Sequence, residues 1–477
     1  MSKYLVTIGL ETHVQLRTAT KMFCGCSLQF GAEPNTNVCP VCLGYPGALP
    51  VMNREAIRLT VLSGLMLGCE ISRHSTFDRK NYFYPDMPKD YQISQNVRPL
   101  CLGGGVEIRT ARGGKRVRIN HIHLEEDAAK INHYARFSGV DFNRSGTPLM
   151  EIVSEPDLSS SEEAMAYLQA LKQILLYAGV SDCNLEEGNM RSDVNISVRP
   201  EGQEKLGTKV EIKNMNTFKG ICAALEYEVA RQLSVVTRGG SIVQETRRWD
   251  PDLGETQPMR SKENAHDYRY FPEPDLVPVE LDAGMIDEWR AALPELPSAR
   301  RARMAAEYGI PEYDAAVLAE DKANADFFEA AARLCGQGKA VSNWFMTEIM
   351  RLLAETGTTI ASSALTPAAL AELVGLVDSG VINGPTAKEL LPEMFREGGM
   401  PGALVAARGL AQVSDEGALS ALVAQALSEN PRSVADYRAG KKAAAGFLVG
   451  QVMKLSKGKA DPKLVGKLVA ARLSETA

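Results

Sequence analysis

No stretch of about 18 apolar residues, the length a helix needs to cross a bilayer, occurs in this chain. No apolar run of signal-peptide kind lies near its start. A membrane protein or an exported one is therefore not expected, and a cytoplasmic one is. A basic excess is also missing. Lys and Arg number 53 against 59 Asp and Glu, a net charge of -6, so the mean charge does not argue for nucleic acid, although a mean hides local patches. The glycines at 103–105 and 113–114 lack the strand–GxxxxGK[ST]–helix setting of a phosphate loop and read as hairpin turns. Without an export signal, the nine cysteines are expected as reduced thiols or metal ligands and not as disulfides. What is present is ordinary for a globular protein, 45% hydrophobic and 23% charged. At 477 residues the chain is too long for one core, so two or three domains are expected.

The organising stretch is Val117 to Asp157. A period of two puts Val117, Ile119, His121, His123, Glu125 and Asp127 on one strand face, and Arg118, Asn120, Ile122, Leu124 and Glu126 on the other. Histidines and acids aligned on one face are odd for a core and normal for a metal or phosphate site. Three further strands share the pattern. In Tyr4–Leu16 the even positions pack while Glu11 and His13 stand side by side on the polar face. In Met190–Arg199, Val194, Ile196 and Val198 face in while Arg191, Asp193 and Asn195 face out. In Thr208–Lys213, Val210 and Ile212 face in while Lys209, Glu211 and Lys213 face out. One such strand is a solvated strand. Four of them predict an open antiparallel sheet whose polar face is the active surface, with carboxylates to hold Mg²⁺ and Lys or Arg to hold phosphates.

Cys24, Cys26, Cys39 and Cys42 form two close pairs in a Gly/Pro/Asn-rich loop, the pattern of a four-cysteine zinc knuckle. The first pair is CxC where CxxC is commoner. With all four positions filled by protein, such a zinc is structural. Ile57–Leu67 has the spacing of a packing helix, and Phe77–Gln95, aromatic and broken by proline, is expected as a long ordered loop. Within it Arg79, Lys80, Asn81 and Tyr82 either bind a phosphate or base, or serve a loop pinned by its aromatics. Ser160 and Glu163 form a capping box that starts a helix stopped by Gly179. A second charged aromatic loop, Ser261–Asp275, follows Arg247, Arg248 and Arg260. From Ile286 the chain turns Ala/Leu-rich with helical periodicity, broken at Pro294, Pro311, Gly357, Pro385 and Gly398–Gly399. The expected domains are 1–290 with the knuckle at 24–42, a helical domain at 293–410, and a helical tail at 411–477 whose helices start near Asp415. From Tyr437 onward nine basic residues (Arg438, Lys441, Lys442, Lys454, Lys457, Lys459, Lys463, Lys467, Arg472) face two acids, Asp461 and Glu475. That tail suggests a polyanion partner such as RNA, with a solvated helix face as the alternative.

Taken together, IGLETHVQL, CPVCLGYPGALPVMN, FDRKNYFYPDMPKDYQISQ, HLEEDAAK, DFNRSGTPLMEIVSEPD, NLEEGNMRSDVNISVRP, KVEIKNMNTF and DYRYFPEPDL resemble the GatB family, the B subunits of aspartyl/glutamyl-tRNA amidotransferases. The blocks run in the family's order along essentially the whole chain, and GFLVGQVMKLSKGKADPKLV resembles its YqeY-type tail.

The resemblance implies an α+β architecture: a glutamine-synthetase-like cradle, then an all-α domain and the YqeY-like tail, which binds tRNA. It implies an ATP- and Mg²⁺-dependent ligase that phosphorylates the side-chain carboxylate of glutamate or aspartate misacylated onto tRNA. Ammonia then displaces the phosphate to give Gln-tRNA or Asn-tRNA. Carried over, Glu11, His13, Glu125 and Glu151 are the first expected metal ligands, with Asp193 and Glu211 at a second site. Lys80, Arg191, Lys209 and Lys213 are expected at ATP and the acyl phosphate. His121, His123 and Glu126 only orient ligands. No GxSxG elbow or Ser/Lys-rich amidase signature appears. Ammonia is therefore expected from glutamine through a separate amidase (glutaminase) subunit, with a small third subunit completing a heterotrimer. Two rivals stand beside this reading. A free-standing glutamine-synthetase-like ligase on a small acid leaves the zinc loop and basic tail without a task. A non-catalytic tRNA-binding subunit treats the acids as mere surface.

Overall fold

The computed structural model describes residues 4–261, 268–412, 416–439, 441–456 and 460–475. The first part of the Ser261–Asp275 loop, the helix start near Asp415, and the tail's Lys457 and Lys459 lie outside the described residues, as does the side chain of Arg260. The chain divides into two compact units, Met1–Pro297 and Ser298–Ala477.

Alternation in the first segment becomes β1 (Tyr4–Gln15), with Ile8, Leu10, Thr12 and Val14 buried on one side. Asn53 caps α1 (Arg54–Met66) by accepting from the amides of Glu55 and Ala56. The segment expected as a loop is instead a hairpin, β2 (Asp78–Asn81) paired antiparallel with β3 (Tyr91–Ser94). Phe271–Pro272 adds a third strand to it. The hairpin turn expected at Gly113–Gly114 is realised: β4 (Gly105–Thr110) folds back on β5 (Gly113–Glu126), with Gly113 at φ +119°. The run at 103–105 makes no hairpin, because Cys101–Leu102 and β4 pair with β5 in one continuous register and Gly103 and Gly104 bond to Asn120 and Ile119 between them. Next come β6 (Pro148–Ser154) and α2 (Ser161–Tyr177). Ser160 caps α2 through the Glu163 amide, but Glu163 closes no box. Its carboxylate takes Ser159 and Lys115 instead. Further elements of this unit include β7 (Met190–Pro200), β8 (Val210–Lys213), α3 (Phe218–Thr237), β9 (Glu245–Asp250) and β10 (Glu255–Ser261).

These strands build one ten-stranded open sheet in the order β10-β9-β8-β7-β1-β6-β5, continued by Cys101–Leu102 and Glu70–Ile71, with β4 on β5. Every pair is antiparallel except β8 with β9, which runs parallel because α3 carries the chain across between them. Helices α1, α2 and α3 cover the apolar face, burying Leu59, Leu168, Leu171, Ala224 and Leu225 against Ile8, Ile122, Ile152, Val194 and Ile196. The other face carries the polar residues.

One face assignment is corrected by a β-bulge. Ile152 and Val153 pair with Ile122 and His121, but Ser154 pairs with Ile119, so Asn120 is an extra residue in β5. The bulge shifts the parity. Val117 and Ile119 join Ile122 and Leu124 in the core, while His121, His123 and Glu125, with Asp127 just past the strand, reach the polar face.

In the second unit Pro311, Gly357 and Gly398 cap helices, while Pro385 sits in the first turn of the helix Gly384–Glu397. Met304, Phe328, Phe345, Leu370 and Leu390 form one core, and Leu419, Val423, Leu448, Val452 and Val465 another. No described helix is long and apolar enough to cross a membrane.

Candidate functional site

Pairing across the sheet assembles the polar face row by row. His13 lies between Glu151 of β6 and Arg191 of β7, and Glu151 faces His123 of β5. Glu11 lies beside Asp193, and Asn195 beside Glu211. His13, Glu125 and Glu151 each offer a donor atom, all within 4.8 Å of one another. The His13 Nε2 stands 3.5 Å from Glu125 and 3.6 Å from Glu151, and His123 Nε2 is 3.1 Å from Glu151. His121 stacks on His123 at 5.2 Å between centroids.

Burial opposes the Glu151 charge, yet His13, His123 and Lys80 outweigh it and hold the carboxyl below its usual range. Burial likewise works against charge on His123, but Glu151 and Glu125 raise its pKa. His121, with no carboxylate so close, is pushed down to about 4 by burial and by His123. Lys80 comes from the β2–β3 hairpin. Its Nζ lies 5.0 Å from the centre of the Tyr268 ring. Desolvation opposes its charge, while Glu125, Tyr270 and Glu151 together raise its pKa.

The expected second metal set is arranged differently. Lys213 Nζ lies 2.7 Å from Asp193 and 3.5 Å from Glu211, Thr246 donates to Glu211 at 2.8 Å, and Asn195 donates to Glu11 at 2.8 Å. An ammonium therefore occupies the space between Asp193 and Glu211. Desolvation works against Lys213, but Asp193 and Glu211 outweigh it and raise its pKa. Arg191 reaches Asp127 at 3.1 Å, and Arg144 holds the other oxygen of the same carboxylate. The exposed Lys209 lines a cavity of about 240 Å³ with Glu11, Asn195, Ser197 and Gly207.

Several sequence readings find other places. Glu126 turns away from the polar face, where its carboxylate takes Lys89 Nζ at 2.6 Å and the Ile93 amide at 3.0 Å. Arg79 and Asn81 staple the hairpin to the second aromatic loop. Arg79 pairs with Glu273 at 2.8 Å and Asp275 at 2.9 Å, and Asn81 donates to the Tyr268 and Arg269 carbonyls. Arg144, Tyr268 and Tyr270 are site residues that sequence reasoning did not single out, and Asp127 and Asn195 were placed on polar strand faces without a role. Asn195 carried a signal, since it shares a strand face with Arg191 and Asp193. Tyr268 and Tyr270 carried none, because a loop's sequence does not reveal what it folds over.

Cys24, Cys26, Cys39 and Cys42 gather with all four sulfurs within 4.8 Å. The Cys39 and Cys42 sulfurs are 3.9 Å apart, close to the roughly 3.8 Å between thiolates around a tetrahedral metal with bonds of about 2.3 Å. A hydrogen bond from Cys24, then the Cys39 amide and Lys21, lowers the Cys42 thiol to about 4 against its burial, while burial pushes Cys26 up to about 11.

The fold and site define a class of architecture: an open, mostly antiparallel sheet with helices on its apolar face and, on its polar face, three side chains whose donor atoms could hold a metal ion, with Lys80 and Arg191 close by. The comparisons narrow this to a family. Residues 6–287 match the GatB/GatE catalytic domain, and residues 326–473 match the GatB domain. The aspartyl/glutamyl-tRNA(Asn/Gln) amidotransferase B subunit of Caldanaerobacter subterraneus subsp. tengcongensis is 54% identical over 99% of this chain and 100% of its own. Its namesakes in Thermoanaerobacter sp. and Thermodesulfovibrio yellowstonii are 52% and 51% identical over the same shares. The chain belongs to the GatB family.

Proposed function

We propose that this chain is the kinase and transamidase subunit of a tRNA-dependent amidotransferase, converting misacylated Glu-tRNA(Gln), Asp-tRNA(Asn) or both. The observation that carries this is the convergence of His13, Glu125 and Glu151 within 4.8 Å, beneath Lys80, in a chain alignable end to end with its relatives. A free carboxylate is a poor electrophile, because amide formation would have to expel oxide. Its oxygen therefore attacks the γ-phosphorus of ATP and ADP leaves. Ammonia then adds to the acyl carbon, phosphate departs with the bonding electrons, and the nitrogen gives up a proton.

Two carboxylates and an imidazole suit a divalent cation such as Mg²⁺, which supplies charge stabilisation as phosphate charge develops. His13, Glu125 and Glu151 would hold it. Glu11, Asp193 and Glu211 form the second acidic group, and a cation enters there only if Lys213 swings toward the phosphates. Lys80, Arg191, Lys209 and Lys213 neutralise ATP and acyl phosphate, and His123 orients Glu151. Zinc fits the four-cysteine cluster as a structural ion with no open position.

Ammonia comes from glutamine through the amidase subunit, with the small third subunit in the heterotrimer, in the cytoplasm. The 411–477 tail binds tRNA. Arg438, Lys441, Lys442, Lys454, Lys463, Lys467 and Arg472 are all exposed there, as phosphate contacts require. Glu125→Ala in the assembled enzyme tests the kinase role. Loss of tRNA-dependent ATP cleavage with tRNA affinity kept is expected. Unchanged cleavage would overturn the assignment, and cleavage needing no tRNA would point to a small-acid ligase.

A further inference from the structure

Lys21 is fully buried, with none of its surface exposed. Its Nζ makes two polar contacts, with Cys42 Sγ at 3.5 Å and the Phe142 carbonyl at 3.0 Å. Among the described residues no carboxylate pairs with it. The nearby Lys89, by contrast, has Glu126 at 2.6 Å. An ammonium taken out of water without a counter-charge is costly; the Glu126 carboxylate that lines the same cavity is engaged by Lys89 and the Ile93 amide, and the group Lys21 itself meets is Cys42 of the cysteine cluster.

We propose that Lys21 is the counter-ion of the four-cysteine metal centre and clamps it to the Phe142–Gly146 turn. This rests on the zinc reading above. Four thiolates around Zn²⁺ carry a net charge of -2, and a buried complex of that charge needs a cation beside it. Lys21 supplies one, through an N–H···S bond to Cys42. The turn is tied to the same spot: the Met22 amide donates to the Gly146 carbonyl at 2.7 Å, and Ser145 Oγ to the Cys42 carbonyl at 3.4 Å. Gly146, at φ +82°, lies against both partners, since a Cβ there would stand 3.5 Å from Lys21 Cδ and 3.7 Å from Cys42 Cβ. Arg144 of this turn holds Asp127, so Lys21 links the knuckle to the polar face as a positioning residue.

The test compares wild type with Lys21→Met in the full assembled enzyme. The readouts are zinc content, the rate of zinc release to a chelator, and the thiolate-to-cobalt absorption of the Co²⁺-substituted protein. Partners outside the ligand shell typically matter about 10–100-fold in metal affinity, so Lys21→Met should release zinc faster by that order. Its charge-transfer band should move to lower energy, because loss of the N–H···S bond raises the sulfur electrons. Loss of packing alone would not shift that band. Should Lys21→Met fail to fold, Lys21→Gln, which keeps an N–H donor but no charge, should still release zinc faster than wild type while its band stays near the wild-type energy. Release and absorption unchanged from wild type in the folded variant would overturn the Lys21 assignment alone. A wild-type enzyme holding no zinc would overturn both it and the zinc reading.

Discussion

Replacing Lys80 with methionine should pull activity and metal affinity in opposite directions. Methionine keeps the length and apolar stem of the side chain, so the hairpin should still close over Glu125 and Glu151. What goes is one positive charge facing two carboxylates. An opposite charge this near a carboxylate ordinarily shifts its proton affinity by about 1–3 pKa units, or about 1.4–4 kcal/mol. A divalent cation at His13, Glu125 and Glu151 competes with Lys80 for the same charge, so Mg²⁺ or Mn²⁺ should bind at least about tenfold tighter in the variant. The transferring phosphoryl group would lose a preorganised donor, typically worth about 10²–10³ in kcat. Metal titration by calorimetry, alongside tRNA-dependent ATP cleavage at saturating metal, reads both. Weaker metal binding with lost activity would mean Lys80 merely supports the fold. Near-normal kcat would refute its place at the phosphates.

Glu228 is fully buried and takes Arg231 at 2.6 Å, Gln232 at 2.9 Å and Thr256 at 2.8 Å. Glu228→Ala, far from the polar face, should cost about 3–5 kcal/mol in urea unfolding, and a loss under about 1 kcal/mol would refute the reading of that network. The metal-free enzyme should also show a pH window. The folded pKa of Glu151 is depressed, so its contribution is present above the ordinary 4.5 and fades as pH falls through the lower folded value. His123 is raised, so its contribution is complete below 6.5 and fades as pH rises through its folded value. Melting temperature without metal should therefore be flattest between these, and Glu151→Gln should remove the acid-side loss.

Much of the polar face was legible because strand alternation is local. In β1 and β7 each residue's side follows from its neighbours, so Glu11, His13, Arg191 and Asp193 fell where the period of two puts them. In β5 the same rule failed at Asn120, since a bulge is set by the partner strand and leaves no mark in hydrophobic pattern. Glu126 does lie off the polar face as the period of two places it, but its partners Lys89 and Ile93 were hidden, because they come from a hairpin that aromatic and proline content disguised as loop. The gathering of the four cysteines was plain from their spacing, whereas Lys21, which reads in sequence as an ordinary solvated lysine, becomes notable only once its burial is known. Lys213 between Asp193 and Glu211 was equally hidden, because sequence gives faces and not the distances between side chains on them.

The most direct measurement is amide formation on purified misacylated Glu-tRNA and Asp-tRNA. The chain would be assembled with its amidase partner, ATP, Mg²⁺ and glutamine, wild type against Glu125→Ala. Gln-tRNA or Asn-tRNA should appear only with all components present and with Glu125 intact. Amide formed equally by Glu125→Ala, or no amide in any complete mixture, would contradict the central claim.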